Sequence, residues 1–372
     1  MTTEQTLKEA LGRVIDPELR RPIMELGMIP RVDLQDGFAD IDLKLTVVSC
    51  PAADRIENDV RSAALSVTGI DKANVNVSVM NENERAELTA RLRAGRPKGN
   101  PFSEGSKTRV IAISSGKGGV GKSTVVANLA AYLAAAGVKV GVVDADVYGF
   151  SQPQLLGSVN PDGTVMRPTR LDQMILPPIS HGVAVISIGM FLPEGEQIVA
   201  WRGPMLHKTL SQFLSDVYFG DLELLLIDMP PGTGDVAISL AQMLPNAEVV
   251  VVTTPQTVAA DVAIRSGLLS AQSGQRVVGV IETLSPTTDA AGNTIAIFGS
   301  GGAEKTSKIL TESLEYSVPV LGHIPISEVL RESGDIGKPL VVQNRRDPAA
   351  LAFKDIAENL GINMRGALNL SK

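Results

Sequence analysis

Residues 114–124 read Ser114-Ser-Gly-Lys-Gly-Gly-Val-Gly-Lys-Ser-Thr124, SSGKGGVGKST. Gly116 to Ser123 fits the pattern G-x-x-x-x-G-K-S/T, with an apolar run at 110–114 before it and a helical pattern at 123–135 after it. Glycines at Gly116, Gly118, Gly119 and Gly121, with Val120 between them, allow backbone N–H groups to converge on phosphate oxygens. The helix N-terminus adds the positive end of its dipole. Lys122 is read as a loop charge at the surface that neutralises β- and γ-phosphates. The Ser123 hydroxyl is placed to coordinate Mg²⁺, and Thr124 to hold the α-phosphate. Lys117 exceeds what the turn needs. A cation there either points into solvent or acts like an arginine finger supplied in trans, reaching the phosphates of a neighbouring subunit.

Outward from this loop, short β-branched runs alternate with helical segments. RVIAIS, KVGVVDAD, VAVISI, ELLLIDM, AEVVVVTT, RVVGVIET and PVLGHIP are apolar without alternation, as in strands covered on both faces. They predict a doubly wound parallel α/β sheet. Two of these runs end in carboxylates. VGVVDADVYG places Asp144 and Asp146 at the C-terminal end of a strand, where such sheets bind ligands. Asp146 is the candidate for orienting an attacking water. Asp144 sits near Mg²⁺ or supports the loop, and either residue could instead cap a turn. LLLIDMPPGTGD is a buried strand ending in Asp228, followed by a rigid Pro-Pro and flexible glycines. Asp228 would hold Mg²⁺ through water. The Gly232 N–H would sense a γ-phosphate, and the segment after it would move when that phosphate leaves. No covalent nucleophile is required, because positioning, Mg²⁺ and lysines suffice for phosphoryl transfer. The expected activity is ATP hydrolysis to ADP and phosphate.

Residues 1–93 read as a small α+β domain. Helical spacing covers 4–14, alternation covers 31–45 with Asp36-Gly37 at its turn, and a helix at 52–67 precedes a strand at 73–80 and a helix at 82–93. Residues 94–107, rich in Gly, Pro and Ser, form the linker, and 108–372 the larger domain. The 372 residues are 44% apolar and 20% charged with a net charge of -7, enough for one large and one small core and without the basic stripe of a nucleic-acid binder. Cys50 is the only cysteine, so no intrachain disulfide forms. The polar, acidic start MTTEQTLKEALGRVIDPEL is unlike a signal peptide, and the apolar runs stop short of membrane-spanning length. A cytoplasmic location is expected, with neither nucleic acid nor membrane as partner.

SGKGGVGKST resembles the deviant phosphate-loop family that includes nitrogenase iron protein, MinD, ParA-type partition ATPases and Mrp/ApbC-type iron–sulfur carriers. In that family the additional lysine contacts nucleotide across a dimer, which implies the trans role for Lys117. VVDADVYGFSQP, WRGPM (201–205), LLLIDMPPGTGD, IFGSGG (297–302) and GHIPISEVLRESGDIGKPLV (322–341) look like the Mrp/ApbC group, over almost all of 108–360. LGRVIDPELRRPIMELGMI and LTVVSCPAADRIENDV resemble the small SufT-like domain of iron–sulfur assembly proteins. The resemblance implies an ATP-hydrolysing carrier of a 4Fe–4S cluster that works as a homodimer with apo iron–sulfur clients and assembly factors.

The chain departs from the family in two places. Most members carry Cys-x-x-Cys just before FGSGG, but residues 282–298 here, ETLSPTTDAAGNTIAIF, have no cysteine. Ser, Thr and Asp are poor substitutes for thiolate at a soft Fe–S centre. Thr283 stands where relatives usually have Asn beside the adenine, which loosens the expected base selectivity. Cys50 becomes the candidate Fe–S ligand: it precedes a helix near residue 52, and a helix N-terminus favours thiolate. Being half-buried and structural is the alternative reading of this thiol. The histidines, His181, His207 and His323, are isolated and have no metal-ligand spacing. A nucleotide-switched scaffold that binds no cluster is the rival function. A MinD- or ParA-like positioning ATPase is the second rival, disfavoured because the terminal INMRGALNLSK is not a basic amphipathic helix.

Overall fold

The computed structural model describes residues 2–48, 50–94, 99–103, 105–192, 203–232, 234–289, 291–362 and 364. Trp201 and Arg202 of WRGPM, parts of the 94–107 linker and the end of INMRGALNLSK lie outside the described residues. In chain order the elements are α1 (Thr3–Leu11), β1 (Arg31–Gln35), β2 (Phe38–Leu45), α2 (Ala53–Leu65), β3 (Lys72–Val79), α3 (Glu82–Arg93), β4 (Arg109–Ser115), α4 (Lys122–Ala135), β5 (Val140–Asp144) and α5 (Gln152–Leu155). Then follow β6 (Thr169–Leu171), β7 (Met174–Leu176), β8 (Ile179–Ser180), β9 (Val183–Ser187), α6 (Gly203–Ser215), β10 (Leu224–Asp228), α7 (Asp235–Met243), β11 (Glu248–Thr253) and α8 (Thr257–Gln272). The chain continues with β12 (Arg276–Ser285), β13 (Thr287–Thr288), β14 (Thr294–Ile295), α9 (Gly302–Leu314), β15 (Val320–Pro325), α10 (Glu328–Asp335), α11 (Leu340–Gln343) and α12 (Pro348–Asn359).

Two compact units divide the chain. The first has a three-stranded sheet in the order β1-β2-β3. β1 and β2 form the expected antiparallel hairpin, closed by Asp36 at φ 46° and Gly37 at φ 79°. Two consecutive left-handed residues match the twist of the flanking strands. β2 pairs with β3 in parallel, so α2 is the crossover, and its buried Ile56 and Val60 share a core with Ile41 and Leu43. α1 ends three residues earlier than its spacing suggested. Asp16 instead accepts from the N–H groups of Glu18 and Leu19, turning the chain after the helix.

This unit is not contiguous. Residues 168–177 and 216–220 belong to it, and Leu171, Met174, Leu176 and Tyr218 enter its core. The single boundary after residue 93 missed this addition. Strands of three residues, β6 and β7, are too short to display a period of two.

The second unit is built on an eight-stranded sheet ordered β15-β12-β11-β4-β10-β5-β9-β8. Its pairs are parallel except at the edge, where β8 runs antiparallel to β9. β5, β9 and β10 are buried along their whole length, as expected for strands with both faces covered. The chain leaves β4 toward β5 and β9 on one side and later toward β11, β12 and β15 on the other. The reversal opens a crevice at the C-terminal end of β4. Among the described residues, no helix is long and apolar enough to cross a membrane.

Candidate functional site

At the C-terminal end of β4 the chain turns through SSGKGGVG into α4. The glycines serve different ends. A Cβ on Gly116 would lie 2.3 Å from the Val262 carbonyl carbon, so this glycine lets the loop pack against α8. Gly121, the N-cap of α4, has φ +82°, a left-handed conformation that disfavours side chains. Beneath the loop, the Thr283 hydroxyl lies 2.5 Å from the Val120 carbonyl and 3.0 Å from that of Thr253. Thr283 is 5% exposed, so it supports the loop from below.

A cavity of about 900 Å³ opens over the loop. Lys117, Gly118, Gly119, Gly121 and the side of α4 that carries Lys122, Ser123 and Thr124 line it, with Asp146 opposite. Gly116, Val120, Asp228 and Gly232 do not. Val120 is buried, and the Gly232 N–H donates to the Ser115 carbonyl at 2.8 Å. Sensing a phosphate with that N–H would require this bond to open.

Lys122 is not a surface charge. It is 6% exposed, and its ammonium pairs with the Asp228 carboxylate, which is fully buried. Sequence reasoning missed the pairing because the two residues are 106 apart. β10 and β5 run in register, so Asp228 stands beside Asp144. Burial pushes the Asp144 carboxyl up, and the neighbouring Asp228 charge adds to this. Four donors oppose it: the N–H groups of Asp146, Ser151 and Gln152 at 3.2, 3.0 and 3.1 Å, and the Ser187 hydroxyl at 3.1 Å. With its oxygens so occupied, Asp144 braces the segment that follows β5. Asp146, half-buried, faces the cavity and accepts from the Gly149 N–H at 3.0 Å. Burial raises its pKa, against the opposing charge of Lys122.

Ser123, Asp146 and Asp228 offer a hydroxyl and carboxylates, hard oxygen donors that suit Mg²⁺. Gln152 was not anticipated. Its Nε2 donates to Asp228 Oδ2 at 2.7 Å and to the Ser123 carbonyl at 3.0 Å. Nothing in its local sequence marks this role, since its partners lie 76 and 29 residues away. Lys117 is exposed at the cavity rim, with no ion pair among the described residues.

Cys50, in the first unit, is buried and its thiol donates to Glu18 Oε2 at 3.6 Å. Burial pushes the thiol up to about 12, and the charges of Glu18 and Asp16 add to the effect despite the Ala52 N–H. The thiolate expected from a helix N-terminus is therefore overturned. Glu18 is itself held by the Thr169 hydroxyl at 2.6 Å, from the non-contiguous part of the unit. His323 is not isolated either. Its Nε2 lies 2.8 Å from Glu304 Oε1, and Glu282 brings a third ligand-type atom within 4.8 Å of both. Glu282 caps the start of α9 by accepting from the Ala303 N–H at 2.9 Å. His181 lies 3.3 Å from the Gly337 carbonyl, and His207 is exposed on α6.

Comparison with known proteins places these features in a family. Residues 106–361 match the model described as NUBPL iron-transfer P-loop NTPase, and residues 4–77 the model described as iron-sulfur cluster assembly protein. The iron-sulfur cluster carrier protein of Mycobacterium tuberculosis is 47% identical over 368 residues, covering 98% of this chain and 95% of that one. The protein of the same name from Bacillus subtilis is 33% identical, covering 98% and 99%. Among solved structures, a nucleotide-binding protein from Archaeoglobus fulgidus in complex with ADP is similar, with a TM-score of 0.50 and 31% identity, covering 62% of this chain and 86% of that one. With a phosphate loop over a Lys–Asp pair and a match running through most of its length, the chain belongs to the NUBPL-type iron-transfer P-loop NTPase family, carrying an iron–sulfur assembly domain ahead of the NTPase domain.

Proposed function

We propose that this chain binds and hydrolyses ATP and uses the cycle to assist iron–sulfur cluster assembly or transfer, as a cytoplasmic homodimer acting on apo-proteins and assembly factors. The pairing of Lys122 with Asp228 beneath the loop carries this reading. It sets a cation next to the phosphate cradle and a carboxylate at the cation end of α4. The ADP held by the Archaeoglobus fulgidus relative and the carrier name of the full-length relatives support it.

When nucleotide enters, the loop N–H groups hold the phosphates, Lys122 turns from Asp228 to the β- and γ-oxygens, and Thr124 supports the α-phosphate. The Ser123 hydroxyl, with Asp228 acting through water, would hold Mg²⁺, which would supply neutralising charge to the phosphates. Asp146 orients the attacking water. Lys117 of one subunit reaches the phosphates bound by the other. The P–O bond to ADP breaks as water adds to phosphorus, giving ADP and phosphate.

The cluster is cargo, and its ligands are the unusual part. The one cysteine, Cys50, is buried and protonated beside two carboxylates, a poor donor set for an Fe–S cluster. We assign the missing thiolates to glutathione or a client. The same observation favours a second reading, a nucleotide-switched scaffold that binds no cluster. Anaerobic reconstitution of ATPase-active protein with iron and sulfide separates the two. The carrier reading expects bound iron and a visible spectrum only when glutathione or an apo client is added. No uptake under any of these conditions leaves the scaffold. Absence of ATP turnover in Mg²⁺ sinks both.

A further inference from the structure

Gln152 is fully buried and anchored from both ends. Its backbone N–H donates to Asp144 at 3.1 Å, while its side-chain amide bridges Ser123 and Asp228. These two are the residues assigned above to the cation, one through its hydroxyl and one through water. The amide orientation is fixed by chemistry. Both partners of Nε2 are acceptors, a carbonyl and a carboxylate, and turning the amide over would set oxygen against oxygen. The Oε1 atom is therefore the free end, and it is buried with no donor among the described residues. Buried acceptors without a donor are uncommon and unfavourable.

We propose that Gln152 is a positioning residue for the cation that accompanies nucleotide. It fixes the separation of Ser123 and Asp228, and its Oε1 accepts a hydrogen bond from water in the cation's shell. Asp228 Oδ2 stays on Gln152 while Oδ1, which faces Lys122, becomes available as Lys122 turns to the phosphates. Gln152 also lies on the segment that follows Asp146, so the cation and the water-orienting carboxylate share one short stretch of chain. The proposal rests on the nucleotide reading above, and its test distinguishes the two.

ADP binding is measured with EDTA and with Mg²⁺, and Mn²⁺ binding to the ADP complex is followed by electron paramagnetic resonance. The variants are Gln152→Met, close in length and volume but without donors, and Gln152→Glu, which sets a carboxylate against Asp228. Loss of a group that orients a metal ligand costs about 10- to 100-fold in metal affinity. Gln152→Met is expected to weaken Mn²⁺ binding by about tenfold or more and to leave metal-free ADP affinity within about twofold of wild type. Gln152→Glu is expected to weaken Mn²⁺ binding further. Raising Mg²⁺ should recover turnover in Gln152→Met, as a shift in the Mg²⁺ requirement and not in kcat. Unchanged Mn²⁺ affinity overturns the proposal, as does metal-free ADP affinity falling in step with it. Failure of both variants to fold would overturn it too, by assigning Gln152 to the fold itself. A wild type that binds no ADP removes the nucleotide reading and this proposal together.

Discussion

The loop around Lys122 and the pocket around Cys50 each bury an ionisable group beside carboxylates, with opposite consequences. Lys122 forms an ion pair with Asp228, and Asp144 stands next to it. Cys50 meets Glu18 and Asp16, whose charges oppose a thiolate. Burial penalises either charge, but neighbouring carboxylates stabilise a cation and suppress an anion. One region is thus arranged for an anionic ligand that competes for the lysine. The other keeps its thiol neutral. A cysteine at a helix start is reactive only if its tertiary neighbours allow it.

The largest effect should come from Lys122→Ala. Hydrolysis should fall by about 10³-fold or more, as when a phosphate-directed cation is lost elsewhere. Stability should also fall, by about 3–5 kcal/mol, because Asp228 is left buried without its cation. The shift in denaturation midpoint checks this, and an unshifted midpoint would break the first half of the comparison by returning Lys122 to the surface.

Lys117→Ala should leave both ADP binding and the midpoint unchanged, because Lys117 is exposed and unpaired among the described residues. Its hydrolysis should still drop by roughly 10³-fold if its amine acts in trans. Mixing Lys117→Ala with Lys122→Ala chains regenerates one intact site per mixed dimer. Recovered turnover supports action across the dimer, and none, with mixed dimers demonstrated, places Lys117 in cis.

The second half of the comparison is tested by alkylating Cys50. With the thiol pushed from 9.0 to about 12, its thiolate fraction below pH 9 is smaller in the folded protein by about three powers of ten. Native protein at pH 8 should react with iodoacetamide about 10³-fold more slowly than unfolded chain. The sign of the stability effect follows. The unfolded thiol loses its proton first, so native stability is unaffected below about pH 9 and falls between about 9 and 12. Fast native alkylation at pH 8 would restore Cys50 as a thiolate ligand and strengthen the carrier reading.

Much of the site was legible because its signals are local. SSGKGGVGKST specifies a turn by glycines within a few residues, and the β-strand before it and helix after it are written in adjacent runs. Asp146 and Asp228 announce themselves as acids at the ends of apolar strands. What was not legible depended on residues far apart: Lys122 with Asp228, Gln152 with both Asp228 and Ser123, and Thr283 with Val120 across 163 residues.

The sequence by itself determined the doubly wound parallel α/β domain, the small domain ahead of it, the hairpin at Asp36-Gly37 and the phosphate loop. Each follows from backbone sterics and hydrophobic periodicity acting over one turn or one strand. Only the tertiary structure decided that Lys122 is buried and paired, that Cys50 is neutral, and that residues 168–177 complete the core of the first unit. Charge state and burial are set by the solvent that packing removes and by the neighbours it brings. Glu18 reaches Cys50 from 32 residues away and Thr169 reaches Glu18 from 151, so no local window of the sequence contains the answer.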